Sequence, residues 1–247
     1  MVPRGTATLW YRAVPMQGEF ARDMSAAKAE ACASEPGSLR ERIMHAAFSL
    51  FMERGYDATS TLAIASRARV SKRDIYALFP HKRDILAMAI GERARRMRQS
   101  LDLPAARTRA ALLRTLAAHG SAILHELTSP EVAAVYRLAI AESGRTRELA
   151  EALDEHGRRP NEAALSALLK QAQAAGLLGA GDPRLMVRQF HGLLHGFLHI
   201  DVLLRIEEAP DAEAITARAR SAAEALLTLH PPPHARVRRT PAPARPR

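Results

Sequence analysis

Apolar side chains recur three and four residues apart from about residue 40 to residue 229. That period predicts amphipathic helices. Ile43, Ala47, Leu50 and Phe51 mark one face of a first helix, which ends near Gly55. Ser60 caps a second helix with Ile64 and Ala65 inward, and Ser71 caps a third with Ile75 and Phe79 inward. Pro80 closes the third, and a fourth runs from about His81 to Ser100. Pro104 interrupts the pattern. Further helices are expected over roughly 106–127, 129–142, 145–156, 160–175, 183–204 and 211–229. Ser129-Pro130-Glu131 and Asp182-Pro183 each read as a cap followed by proline in the first turn, and Gly176 as a stop. No alternating apolar run is long enough to defend a sheet, and there is no internal repeat. The expected fold class is all-α.

The ends break the pattern. Residues 1–37 carry no helical stripe and contain Pro3, Pro15, Gly18 and Pro36. They read as a disordered extension, or as an overlong start, since Met24 would also serve. Residues 231–247 are rich in proline and arginine and read as an extended tail. Its arginines either add nonspecific affinity for phosphates or merely solubilise the chain. The expected division is 1–37 extension, 38–90 head, 91–230 body and 231–247 tail.

Composition sharpens this picture in two ways. The single cysteine, Cys32, excludes an intrachain disulfide or a cysteine metal cluster and points to a reducing compartment. No segment reaches the roughly 20 apolar residues of a bilayer span. Arg12, Pro15 and Glu19 interrupt any signal-peptide core. A cytoplasmic location with no membrane partner is expected. The net charge of +10 is unevenly placed. Residues 38–100 carry thirteen basic side chains against six acidic, whereas residues 101–230 carry fourteen against sixteen. A genome that uses arginine freely would raise the total, but would not leave 101–230 slightly acidic. A localised basic region is the footprint of a polyanion partner.

The basic region holds the candidate chemistry. Two short helices joined by a tight turn at Ala68-Arg69-Val70 form a helix-turn-helix, whose second helix enters the major groove of double-stranded DNA. Thr59, Ser60 and Ser71 sit at helix N-termini, where free amides suit phosphate oxygens. Tyr76 and Lys82 can reach the same backbone. Arg73 is the expected base reader, because a guanidinium pairs with both guanine acceptors. Lys72 could read bases or bind phosphate, and Ala77 could meet a thymine methyl. Asp74 could hold Arg73, accept from cytosine, or support the helix N-terminus.

The run "RIMHAAFSLFMERGYDATSTLAIASRARVSKRDIYALFPHKRDILAMAI" resembles the N-terminal domain of the TetR family of transcriptional regulators. Ala46-Ala47, Leu50-Phe51, Gly55-Tyr56, Ile64-Ala65, Val70-Ser71, Ile75-Tyr76, Phe79 and Lys82 carry the likeness in register. The resemblance implies an all-helical homodimer with a three-helix DNA-binding head and a larger body that binds a small molecule and dimerises. Ser60, Ser71, Tyr76 and Lys82 match the family's backbone-contacting positions. Lys72, Arg73 and Ala77 match positions that face bases. Arg69 stands where the family usually has glycine, and a left-handed backbone there would cost about 1 kcal/mol or somewhat more.

The body carries a weaker resemblance in "YRLAIAES", "LLKQAQAAG" and "DPRLMVRQFHGLLHGFLHIDVLL". It implies pairing of the last two helices across a twofold axis. Gly192 and Gly196 would permit close approach, with Leu193, Leu194, Phe197, Ile200 and Leu204 supplying apolar area. His119, His125, Tyr136, Met186 and Phe190 are pocket candidates by position, for an effector that is apolar or aromatic. His191, His195 and His199 fall on one helix face and raise the alternative of a metal sensor or metalloenzyme. No nucleophilic triad, phosphate loop or dinucleotide fingerprint is present. The expected function is a ligand-responsive DNA-binding repressor, not an enzyme, with no cofactor. Its two heads would read a pseudo-palindrome with half-sites about 34–36 Å apart or a related spacing.

Overall fold

The computed structural model describes residues 38–101 and 106–233. The expectations for residues 1–37 and for the tail beyond Pro233 lie outside the described residues. Every regular element among the described residues is helical, as expected. The order is α1 (Leu39–Arg54), α2 (Thr61–Ala68), α3 (Lys72–Leu78) and α4 (Lys82–Arg98), then a 3-10 turn at Gln99–Leu101. Next come α5 (Arg109–Thr128), α6 (Pro130–Glu142) and α7 (Glu148–Ala152). A π-helical turn (Leu153–Arg158) leads into α8 (Arg159–Ala174), and α9 (Pro183–His195), α10 (Leu198–Leu203) and α11 (Ala212–Leu229) follow.

The caps explain why the helices begin where they do. Ser129 and Asp182 accept from Val132 N–H and Arg184 N–H, each with proline in the first turn behind it. Such a cap satisfies one of the donors that every helix start leaves over, worth about 1 kcal/mol. The α2–α3 turn closes on Arg69 at φ 53, ψ 49. Val70 N–H reaches the Ala65 carbonyl at 3.0 Å, and Arg69 N–H reaches Ser66 at 3.3 Å. This is the usual left-handed helix stop with arginine in the glycine position.

Three expected helices differ in the structure. Residues 145–156 and 160–175 are not separate: helix continues from Glu148 to Ala174 through the π turn. Pro160 cannot donate to the preceding turn, and the widened turn before it keeps the helix running. Residues 183–204 are not one helix. Gly196 adopts φ 47, ψ −127, a conformation other residues avoid, and breaks the run. The carbonyls of Leu194 and His195 released there accept from Arg218 at 2.8 and 3.0 Å.

Two apolar clusters organise the chain from Ile43 onward. The body cluster centres on the fully buried Leu112, Leu116, Leu165, Leu169, Met186, Phe190 and Leu226. At Gly120 a side chain would lie 3.1–3.2 Å from Leu194, Ala219 and Phe190, so glycine lets α5 sit against α9 and α11. Arg109 ties α5 to the end of α11 by donating to the carbonyls of Leu177, Leu227 and His230. The head cluster holds Ile43, Leu50, Phe51, Tyr56, Ile64, Ile75, Phe79 and Ile85, together with Val135, Ala139, Leu149 and Ala152 from α6 and α7. α4 runs unbroken from one cluster to the other through residue 90. Beside the shared apolar contact, Glu142 Oε1 accepts from the Tyr56 N–H at 3.1 Å.

Two backbone positions test this geometry with opposite signs. Arg69→Gly relieves the left-handed strain and should stabilise the protein by roughly 0.5–1 kcal/mol. Gly55→Ala places a methyl group at φ +86, 2.9 Å from Glu142 Oε1, and should destabilise. That loss should be about 1–2 kcal/mol. Urea denaturation of the two variants beside the parent measures both.

Candidate nucleic-acid interface

α3 is a short rod with one buried face and one bare face. Ile75 is fully buried, and Phe79 just beyond the helix is 1% exposed. Lys72, Arg73, Tyr76 and Ala77 are exposed on the other side. The N-terminus is locked by a reciprocal cap. Ser71 Oγ accepts from Asp74 N–H at 3.1 Å, while Asp74 Oδ2 accepts from Ser71 N–H at 2.9 Å and from the Ser71 hydroxyl at 2.7 Å. Of the three readings of Asp74, the one visible here is support of the helix start by the carboxylate. The bonds from Ser71 hold its carboxyl below the usual carboxylate range. Lys72 lies 5.5 Å over the ring of Tyr76, whose hydroxyl pairs with Thr61 Oγ1 at 3.2 Å.

The remaining expected contacts fall into two groups. Ser60 is exposed, and its Oγ caps α2 from Ala63 N–H. Thr59, one residue earlier, corrects the expectation. It is 2% exposed, and its hydroxyl donates inward to the carbonyls of Leu50 and Gly55. Both carbonyls lie near the end of α1, so the Thr59 hydroxyl seals the loop and faces inward. Lys82 is half-buried. Its Nζ donates to the Tyr56 carbonyl at 2.6 Å and lies 4.1 Å from the Tyr56 ring centre. Burial lowers its pKa. An ammonium has three donors, so the Tyr56 bond leaves capacity for another acceptor. Thr61 and Glu142 were not among the expected site residues. Glu142 lies 86 positions from Tyr56, and no local pattern announces that contact.

In the body, the five pocket candidates separate. Met186 and Phe190 are fully buried core side chains, and His125 is exposed. His119 is fully buried, with Nδ1 3.2 Å from the Met97 carbonyl and 3.1 Å from Ser100 Oγ. Tyr136 packs edge-on against His199 with ring centres 5.0 Å apart. A groove of about 400 Å³ between α5 and α11, edged by Arg114 and Arg220, includes none of the five. The three-histidine metal alternative finds no support. The rings follow one another across the break at Gly196, His191 to His195 at 5.6 Å and His195 to His199 at 5.9 Å. Among the described residues, no group of three or more such side chains could hold a metal ion.

Comparison with known proteins places this geometry. Residues 43–89 match the family model for bacterial regulatory proteins of the tetR family. Residues 114–230 match that for the C-terminal domain of AefR-like transcriptional repressors. The Flavonoid-responsive Regulator FrrA is 31% identical, with a TM-score of 0.63 over 79% of this chain and 97% of that one. The chain belongs to the TetR family of transcriptional regulators. A TetR transcriptional regulator from Agrobacterium tumefaciens is 29% identical, with a TM-score of 0.64, covering 81% of this chain and all of that one (100%). GusR of Salmonella enterica is 25% identical, with a TM-score of 0.56 over 79% and 98%. No curated protein matches. As a TetR-family member the chain is a DNA-binding transcriptional regulator, and the matched head segment contains all of α2 and α3. Among the described residues, no helix is long and apolar enough to cross a membrane.

The body's histidines give this TetR-family protein a pH signature. Burial pushes His119 down to about 4. Burial, then His191 and His199, push His195 down to about 4 as well. Unfolding restores an ordinary pKa near 6.5, so the unfolded chain binds more protons between pH 6.5 and 4. The stabilisation is complete above pH 6.5 and is lost as pH falls toward 4. Urea midpoints should therefore drop between pH 7.5 and 5, with roughly 2 kcal/mol of that from His119. In His119→Leu the pH dependence should shrink by that share.

Proposed function

We propose that the protein is a ligand-responsive repressor that binds a pseudo-palindromic operator as a homodimer. The observation that carries the reading is α3 itself. One capped, exposed face offers Lys72, Arg73, Tyr76 and Ala77, while the opposite face is anchored in the head cluster. In this reading Arg73 reads guanine, Lys72 reads bases or binds phosphate, and Ala77 meets a thymine methyl. Ser60, Ser71, Tyr76 and Lys82 take phosphates. For Ser71 this means exchanging its hydroxyl bond to Asp74 for a phosphate oxygen. The tail arginines would add sequence-independent affinity.

An exposed apolar stripe supports dimerisation through the last helices. Leu185, Leu193, Phe197, Ile200 and Leu204 are 39–80% exposed on α9, α10 and their junctions. A row of this kind marks an interaction surface, and a symmetric pair would bury it twice over. The effector would lodge in the body. The flavonoid responsiveness named for FrrA, together with the aromatic side chains around α9, favours an aromatic compound. About 1–3 kcal/mol of coupling between that site and the heads suffices for regulation.

Footprinting on the DNA flanking the protein's own gene should show a symmetric protected site. Arg73→Ala should lose preference among sequences. Lys82→Ala should weaken all sequences alike and reduce the salt slope by about 1. Equal loss of specificity from both changes would refute the assigned roles. Phe197→Asp should convert the dimer to monomer in light scattering and abolish the symmetric footprint. A Phe197→Asp chain that stays dimeric would remove this interface.

A further inference from the structure

Among the described residues, four buried imidazole nitrogens of the body have nothing bonded to them: His119 Nε2, His191 Nε2, His195 Nδ1 and His199 Nε2. For His119 the tautomer follows from the geometry. Nδ1 lies 3.2 Å from the Met97 carbonyl, to which the Ser100 hydroxyl also donates at 2.9 Å. A carbonyl only accepts, so Nδ1 carries the hydrogen and Nε2 is a bare lone pair. The residue is 0% exposed, and water does not reach that lone pair. An acceptor buried without a donor is destabilising, and a ligand that supplies the donor recovers that loss.

The surroundings narrow what could supply the donor. His191, His195 and His199 form a continuous strip, Tyr136 closes one end edge-on, and Phe190 lies 6.2 Å from His191. His191 is near enough to His119 to oppose its protonation. Burial keeps the imidazoles neutral, so the strip offers no charge to a carboxylate or phosphate. Two guanidiniums face this region: Arg158 pairs with Asp154 and Glu162, and Arg218 donates to the carbonyls of Leu194 and His195. What remains is a set of ring faces and lone pairs beside a π-helical turn, a device that often accompanies functional sites.

We propose that this imidazole strip, with Tyr136, is the recognition surface for the hydroxyl groups of a neutral phenolic compound. The inference rests on reading the body as the effector-binding module and adds the chemical class of the effector. A phenol donates to His119 Nε2, a second hydroxyl pairs with the His191–His199 strip, and the aromatic skeleton lies against Tyr136 and Phe190. The same skeleton without hydroxyls would leave the buried nitrogens as they are.

Calorimetric titration of the full chain with resveratrol and quercetin, beside their hydroxyl-free parents stilbene and flavone, tests this. At least one phenol should bind, and its parent should bind roughly tenfold more weakly or worse. His119→Leu and, separately, His195→Leu should weaken the phenol by roughly tenfold while leaving the parent unchanged. If circular dichroism shows His119→Leu unfolded, His195→Leu and His191→Leu carry the comparison. The proposal is overturned if neither phenol binds, if phenol and parent bind alike, or if the folded variants bind the phenol as the parent protein does. DNA affinity without ligand, measured on the same samples, separates the two readings. Loss of all DNA binding would sink the repressor reading and leave the titration intact. A phenol that binds through the histidines without changing DNA affinity would support the site and count against ligand responsiveness.

Discussion

The head has no complete core of its own. α2 has eight residues and α3 has seven, each too short to hold its shape in water unaided. Their stability comes from burying Ile64, Ala65 and Ile75 against α1 and α4, and that cluster is finished by Val135, Ala139, Leu149 and Ala152 from the body. Glu142 adds a directional element by accepting the Tyr56 N–H. α3 is therefore positioned by the body as well as by its own neighbours. A core cannot slide continuously, because close-packed side chains have discrete arrangements. Displacement of α6 or α7 must be met by the head as a unit.

Much of this was legible from residue patterns, because local rules governed it. Ser60, Ser71, Ser129 and Asp182 act as caps where hydroxyl or carboxylate precedes an apolar stripe. The turn at Arg69 keeps its geometry, since about 1 kcal/mol of left-handed strain is small against the surrounding packing. The misreadings came where two neighbours share a chemistry but not a direction. Thr59 and Ser60 are adjacent hydroxyls, yet one faces the carbonyls at the end of α1 and the other faces solvent. Gly196 is a similar case. It was read for close packing, and it also changes the path of the helix.

The histidines show the same limit from another side. A repeat of three imidazoles one turn apart is visible in the sequence, and metal binding is one chemistry that such a repeat can serve. The structure adds that the rings succeed one another across the break at Gly196 and that burial disfavours their protonation. His119, 72 positions before His191, joins them only through tertiary packing. Spacing within one helix cannot reveal a partner on another. Nor can it reveal that Met97 and Ser100 occupy Nδ1 and so leave Nε2 as the unbonded nitrogen of that ring.

The two clusters meet on α6 as well as on α4. α6 spans only Pro130–Glu142. Tyr136 on it packs against His199, and Arg137 donates to the carbonyls of Val202 and Leu203 at the end of α10. Val135 and Ala139 belong to the head cluster, and Glu142 at its last turn holds the Tyr56 amide. From Tyr136 to Glu142 is about 9 Å of regular helix. No loop or flexible joint intervenes over that distance, so a push on Tyr136 cannot be absorbed before it reaches the head. The helix is continuous and the head cluster is close-packed. Movement at the imidazole strip therefore either leaves α6 still or displaces the Tyr56 loop and the α4 lysine bonded to it. A short rigid lever with a polar surface at one side and the head's missing core at the other is the least machinery by which occupancy of the body could alter the set of α3.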